Sequence, residues 1–165
     1  MTVDLFEMML KLNTTREESE GCHASVRASV ALADKVTGLF FGAHYTPACV
    51  AFTKRLRQFY EEKFDEQFEI VYVSCDETLA EMEKFLREEH GQWYYIPCNN
   101  GNVDVLCEKY DVSAIPRLVI VDPTGEVITK NGIDIITNST HEEAIEQWKN
   151  QCHMQGGMQR EFPVF

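Results

Sequence analysis

The chain is poor in basic residues: 15 Lys and Arg stand against 27 Asp and Glu, giving a net charge of −12 and a pI near 4.8. Nucleic acids and anionic membranes are bound through basic patches, so neither is an expected partner. No uncharged run approaches the length needed to cross a bilayer. The opening Met1-Thr2-Val3-Asp4-Leu5-Phe6-Glu7 lacks the basic segment and long apolar core of a secretory signal. A cytoplasmic location is therefore the expectation. Internal repeats and low-complexity linkers are also missing. The six cysteines, at positions 22, 49, 75, 98, 107 and 152, have neither the density of a disulfide-stapled secreted domain nor the close spacing of a zinc knuckle. Reduced thiols are expected, with no metal and no cofactor. Cys107 reads as a small packing hydrophobe, and Cys22 and Cys152 as bystanders near the domain ends.

What is present suits a single domain. With 165 residues, 44% of them hydrophobic, the chain can bury a substantial core. Residues 1–22 read as an N-terminal helix, Asp4 to Leu12, followed by a polar loop from Asn13. Residues 23–153 form the expected domain, and residues 154–165 a tail beginning near Gly156-Gly157. Within the domain a first strand falls between His23 and Leu32, and Asp34 to Gly38 reads as a turn. Leu39 to Ala43 is a short apolar run typical of a strand buried on both faces. Phe52, Leu56, Phe59, Tyr60 and Phe64 then mark one face of a helix. A strand over Phe68 to Ser74, a helix over Leu79 to His90, a loop from Gly91 to Gly101 and a helix over Val103 to Tyr110 follow. Arg117 to Val121 and Glu126 to Lys130 flank the turn Asp122-Pro123-Thr124-Gly125 as a hairpin. Thr140-His141-Glu142-Glu143 resembles a capping box opening a last helix toward Cys152. This order predicts a mixed sheet with parallel central strands, right-handed crossovers and helices on both faces.

The most informative stretch is Thr46-Pro47-Ala48-Cys49, at the junction of the apolar strand and the long helix. Thr46 suits the N-cap, its Oγ accepting from the Cys49 N–H, and Pro47 suits the first helical position. A Cys-x-x-Cys at such a junction reads as a dithiol redox site. Here only the second sulfur is present.

Several motifs in series carry a family resemblance. Leu39-Phe40-Phe41-Gly42-Ala43-His44-Tyr45-Thr46-Pro47-Ala48-Cys49 resembles the active-site strand and turn of thioredoxin-fold proteins, which usually end Trp-Cys-Pro-Pro-Cys. Val71-Tyr72-Val73-Ser74-Cys75-Asp76-Glu77, Trp93-Tyr94-Tyr95-Ile96-Pro97, Tyr110-Asp111-Val112-Ser113-Ala114-Ile115-Pro116 and Asp122-Pro123-Thr124-Gly125-Glu126-Val127-Ile128 resemble successive segments of the tryparedoxin/nucleoredoxin branch. The likeness covers roughly residues 30 to 135. It implies an α/β thioredoxin fold. It places Thr46 at the position of the nucleophilic Cys, Tyr45 at that of the usual Trp, and Ala48 at that of the second Pro. Cys49 keeps the resolving sulfur. By the same resemblance Pro116 is the cis-proline against which a substrate backbone lies, Glu77 is an acidic residue near the redox centre, and Cys75 stands where tryparedoxins often carry Trp. Arg117 departs from the commoner Thr and adds positive charge.

Thiol–disulfide exchange needs a thiolate, and the second sulfur resolves the mixed disulfide. A threonine hydroxyl does not ionise near neutral pH without a dedicated base. The expectation is a redox-impaired protein that binds an extended peptide or partner protein through Tyr45, Thr46, Pro47, Ala48, Ile115, Pro116, Arg117 and Glu77. The alternative is an oxidoreductase or peroxide-reactive monothiol working through Cys49, alone or with Cys75 or Cys98. The peroxiredoxin pattern Pro-x-x-x-Thr-x-x-Cys is matched only in its second half, Gly42 standing where its proline would be. His44 reads as a strand-end residue, and Trp93 with its neighbouring tyrosines chiefly as packing.

Overall fold

A computed structural model describes residues 5–13, 25–62 and 68–160. Among the described residues seven strands form one sheet: β1 (Met9–Leu12), β2 (Ser25–Arg27), β3 (Val36–Gly42), β4 (Phe68–Ser74), β5 (Tyr94–Ile96), β6 (Arg117–Val121) and β7 (Val127–Thr129). Their spatial order is β2-β1-β5-β4-β3-β6-β7. β3, β4 and β5 run parallel at the centre, whereas β6 pairs antiparallel with β3 and turns back into β7. The helices are α1 (Ala28–Ala31), α2 (Pro47–Glu62), α3 (Leu79–Glu88), α4 (Gly101–Lys109), α5 (Gly132–Asn138) and α6 (His141–Arg160).

Every residue of β3 and β4 is buried, as expected of strands covered on both faces. Alternation along them divides the core. Val36, Phe40, Ile70 and Tyr72 face α2, α3, α5 and α6, where Phe59, Phe85 and Trp148 are fully buried. Leu39, Phe41, Val71 and Val73 face the opposite layer of Leu5, Met8, Ala31, Val103 and Leu106.

The N-terminal segment corrects the sequence-based expectation. The helix expected over Asp4 to Leu12 is not formed by its described residues, 5–12. Leu5–Glu7 forms a single 3-10 turn, and Met9–Leu12 joins the sheet between β2 and β5. Asn13, expected to begin a polar loop, is buried: its backbone N–H donates to the Trp93 carbonyl at 2.9 Å and its side-chain amide to the Gly91 carbonyl at 2.8 Å. That amide clamp places β5 within the segment expected to be loop. The predicted turn over Asp34 to Gly38 is shortened, because Val36 already pairs with Phe68. α5 is a further element that periodicity did not reveal. Arg55 of α2 holds its C-terminal end by donating to the Ile136 carbonyl at 2.8 Å. The last helix does not stop near Gly156-Gly157 but continues to Arg160. Phe64 lies outside the described residues.

His90 is fully buried within an aromatic cage. Its Nδ1 accepts from Trp93 Nε1–H at 3.1 Å, so Nε2 carries the proton of the neutral ring. Tyr72 and Phe85 meet the ring edge-to-face at 4.3 and 4.4 Å. Burial, with lesser contributions from Arg57 and His44, pushes its pKa well below 6.5. Below about pH 6.5 the unfolded chain therefore binds a proton that the folded ring does not, so stability falls as pH falls. The thermal midpoint should drop between pH 7 and pH 5, and His90→Phe should show a shallower slope over that interval. An unchanged slope would remove His90 as the cause.

Candidate functional site

The C-terminal ends of the parallel strands, where ligands gather in open α/β sheets, bring together the Thr46 turn, the Cys75–Asp76 segment and the start of α4. Thr46 caps α2 as expected: its Oγ1 accepts the Cys49 N–H at 3.1 Å. Pro47 and Ala48 are exposed on the first turn of the helix. Cys49 points inward and is 0% exposed. Its seat depends on Gly42, where an added β-carbon would stand 3.4 Å from Cys49 Sγ and 3.1 Å from the Phe40 ring. A side chain at 42 would press on both.

Tyr45 is 54% exposed and marks the rim. Burial, followed by the negative charge of the exposed Glu77, raises its phenol pKa. Ile115, Pro116 and Arg117 are half-buried at the head of β6, with a cis bond between Ile115 and Pro116. Arg117 pairs across the sheet with Phe41. The His44 ring packs on Phe85 at 5.2 Å, so it is a strand-end packing residue.

Asp76 is the residue whose importance sequence reasoning missed. It is buried, and its Oδ1 accepts the His44 N–H at 2.7 Å. Its Oδ2 lies 2.7 Å from both the Ser74 and the Tyr72 hydroxyls. Tyr72 also reaches the Gly42 carbonyl at 2.9 Å, and the Cys75 N–H donates to that same carbonyl at 2.8 Å. These bonds tie the ends of β3 and β4 together immediately ahead of Tyr45 and Thr46. A buried Asp two residues after Ser74 is not distinguishable from a loop Asp by pattern alone.

Cys49, Cys75, Cys98 and Cys107 are all free thiols. Cys75 lies within electrostatic reach of both Cys49 and Cys107 of α4, and its Sγ is 3.9 Å from the Val73 carbonyl. Burial, then Cys107, pushes the Cys75 thiol up to about 12. Cys98 is buried, its N–H directed at Met82 Sδ at 3.4 Å and its thiol beside Ser74. Among the described residues no cluster of three His, Cys, Asp or Glu could hold a metal ion. None of the described helices is long and apolar enough to cross a membrane.

Residues 34–127 match the family described as thioredoxin-like. The chain belongs to that family. It is 35% identical over 108 residues to probable nucleoredoxin 2 of Oryza sativa subsp. japonica, a match covering 64% of this chain and 27% of the relative. Human nucleoredoxin-like protein 1 is 29% identical over 136 residues, covering 78% of this chain and 63% of the relative. The chain thus spans less than two thirds of these curated relatives. Among solved structures, a thioredoxin from Wuchereria bancrofti superimposes with a TM-score of 0.74 at 35% identity, covering 90% of this chain and 99% of that one. Native tryparedoxin I from Crithidia fasciculata gives 0.64 at 26% identity, covering 81% and 86%. The mixed seven-stranded sheet flanked by helices is accordingly a thioredoxin fold.

Two losses of stability follow. Thr46→Ala removes the cap and should cost about 1 kcal/mol. Asp76→Ala leaves buried donors without an acceptor and should cost roughly 1–3 kcal/mol. Urea denaturation of both variants checks the order, which a smaller loss for Asp76→Ala than for Thr46→Ala would reverse.

Proposed function

We propose that this thioredoxin-like chain binds an extended segment of a protein or peptide partner and is impaired in the dithiol cycle of its relatives. The observation that carries this reading is the pairing of a threonine oxygen engaged as a helix cap with a Cys49 sulfur sealed from solvent. Neither atom is available to attack a disulfide. Exchange proceeds through a thiolate, and a buried sulfur offers no approach along the S–S axis.

The same rim is suited to recognition. By the family resemblance, exposed Tyr45, Pro47 and Ala48 would form one wall of the groove, and half-buried Ile115 and Pro116 the other. An exposed aromatic with a polar tip provides large contact area at little entropic cost. Glu77 and Arg117 supply opposite charges with which to set the direction of a bound backbone. In this reading Cys49 is a packed remnant, and Thr46 holds the turn that presents Tyr45.

Insulin-disulfide reduction in the presence of a dithiol reductant tests the chemical half. The wild type should add nothing to the reductant's own rate, and Cys49→Ser should change nothing. Thr46→Cys, which recreates a Cys-x-x-Cys, should gain turnover that Cys49→Ser then abolishes. Wild-type turnover lost on Cys49→Ser would favour the oxidoreductase instead. For the binding half, peptides selected by display on the wild-type chain should lose about tenfold or more in affinity for Tyr45→Ala. Undiminished binding would place the partner surface elsewhere.

A further inference from the structure

The end of β4 and one face of α4 enclose a cavity of about 350 Å³ that includes Ser74, Cys75, Asp76, Asn100, Asp104 and Cys107 in its walls. Val103 and Cys107 are one helical turn apart, so they share the face of α4 that meets β4. Cys75 leaves the strand with its Sγ 3.9 Å from the Val73 carbonyl, and it shares the cavity wall with Cys107, close enough for each thiol to perturb the other's ionisation. Both residues are half-buried and carry free thiols. Two thiols in one cavity wall can be bridged where their Cα atoms lie within about 7 Å of each other. Unlike Cys49, this pair opens onto a space of the size that small ligands occupy.

We propose that Cys75 and Cys107 form a second dithiol site, separate from the Thr46–Cys49 turn, which small cationic disulfides oxidise to an intramolecular disulfide. The Cys107 thiolate attacks one sulfur of the incoming disulfide. The incoming S–S bond breaks, a mixed disulfide forms on Cys107 and the first small thiolate leaves. Cys75 loses its proton to water and attacks Cys107 Sγ. The mixed disulfide breaks, the Cys75–Cys107 bond forms and the second small thiolate leaves. The chain loses two electrons and two protons, and the small disulfide is reduced to two thiols.

The environment assigns the order. Burial raises both thiols, while the interaction between them lowers Cys107 and raises Cys75. Cys107 is therefore the first to attack. The high value for Cys75, about 12, makes the second step slow. Such a pair suits a redox-modifiable site better than rapid turnover. The preference for cations follows from Asp76 and Asp104 in the cavity wall on a chain of net charge −12.

The full reduced chain should be treated with cystamine, or with oxidised glutathione at equal concentration, then quenched with acid, alkylated and mapped by mass spectrometry without reduction. Cystamine should yield a cross-linked Cys75–Cys107 peptide pair, lighter than the two reduced peptides by two hydrogens. Oxidised glutathione, an anion, should form it at least about tenfold more slowly. Cys75→Ser should halt the reaction at a cysteamine adduct on Cys107. Failure of the cross-link in cystamine, or a link from Cys75 to Cys49 instead, would overturn the proposal, and equal rates with the two oxidants would overturn its charge preference. The mapping gives the same answer in a Cys49→Ser background, so it is independent of the reading of the Thr46 turn.

Discussion

The close seat of Cys49 against Gly42 governs this end of the molecule. With no β-carbon at 42, the α2 N-terminus can settle so that the sulfur is fully buried beside Phe40. The same residue offers its carbonyl to Cys75 N–H and lies within reach of Tyr72 Oη, so one backbone unit links β3, β4 and the redox-type turn. Asp76 completes the joint by holding the His44 N–H. The turn is rigid because its donors are satisfied from below, and Tyr45 is presented outward for the same reason. Rigidity at the rim favours recognition, since little freedom is lost when a partner docks.

Burial also separates the sulfurs by chemistry. Cys49 is closed off, Cys98 is buried beside Ser74, and Cys75 and Cys107 line one cavity. Among the described cysteines, the half-buried thiols thus line the cavity at the end of the neighbouring strand β4 and not the Thr46 turn.

Much of the fold was legible in the sequence. β3 and β4 stand out as apolar runs, and β6 with the Asp122 turn as a hairpin, because burial on both faces and turn chemistry act locally. β1 and β5 were not legible. Met9–Leu12 is four residues long and earns its place only through β5, while β5 depends on the Asn13 contacts with Gly91 and Trp93, nearly eighty residues away in sequence. α5 was hidden because its seven residues are too few to display a helical period. At the site, the Thr46 cap followed from spacing alone. The partnership of Cys75 with Cys107 did not, since it depends on how α4 lies across the end of β4, and a half-buried Cys on an apolar helix face looks the same whether it packs or pairs.

The central claim is that Cys49 is inert because the folded chain encloses it. Native-state alkylation of Cys49, followed by mass spectrometry across a series of urea concentrations below the unfolding transition, tests this most directly. Labelling should track global unfolding and show the full denaturant dependence of that transition. Labelling of the folded protein at the rate of an open thiol, independent of urea, would contradict the account.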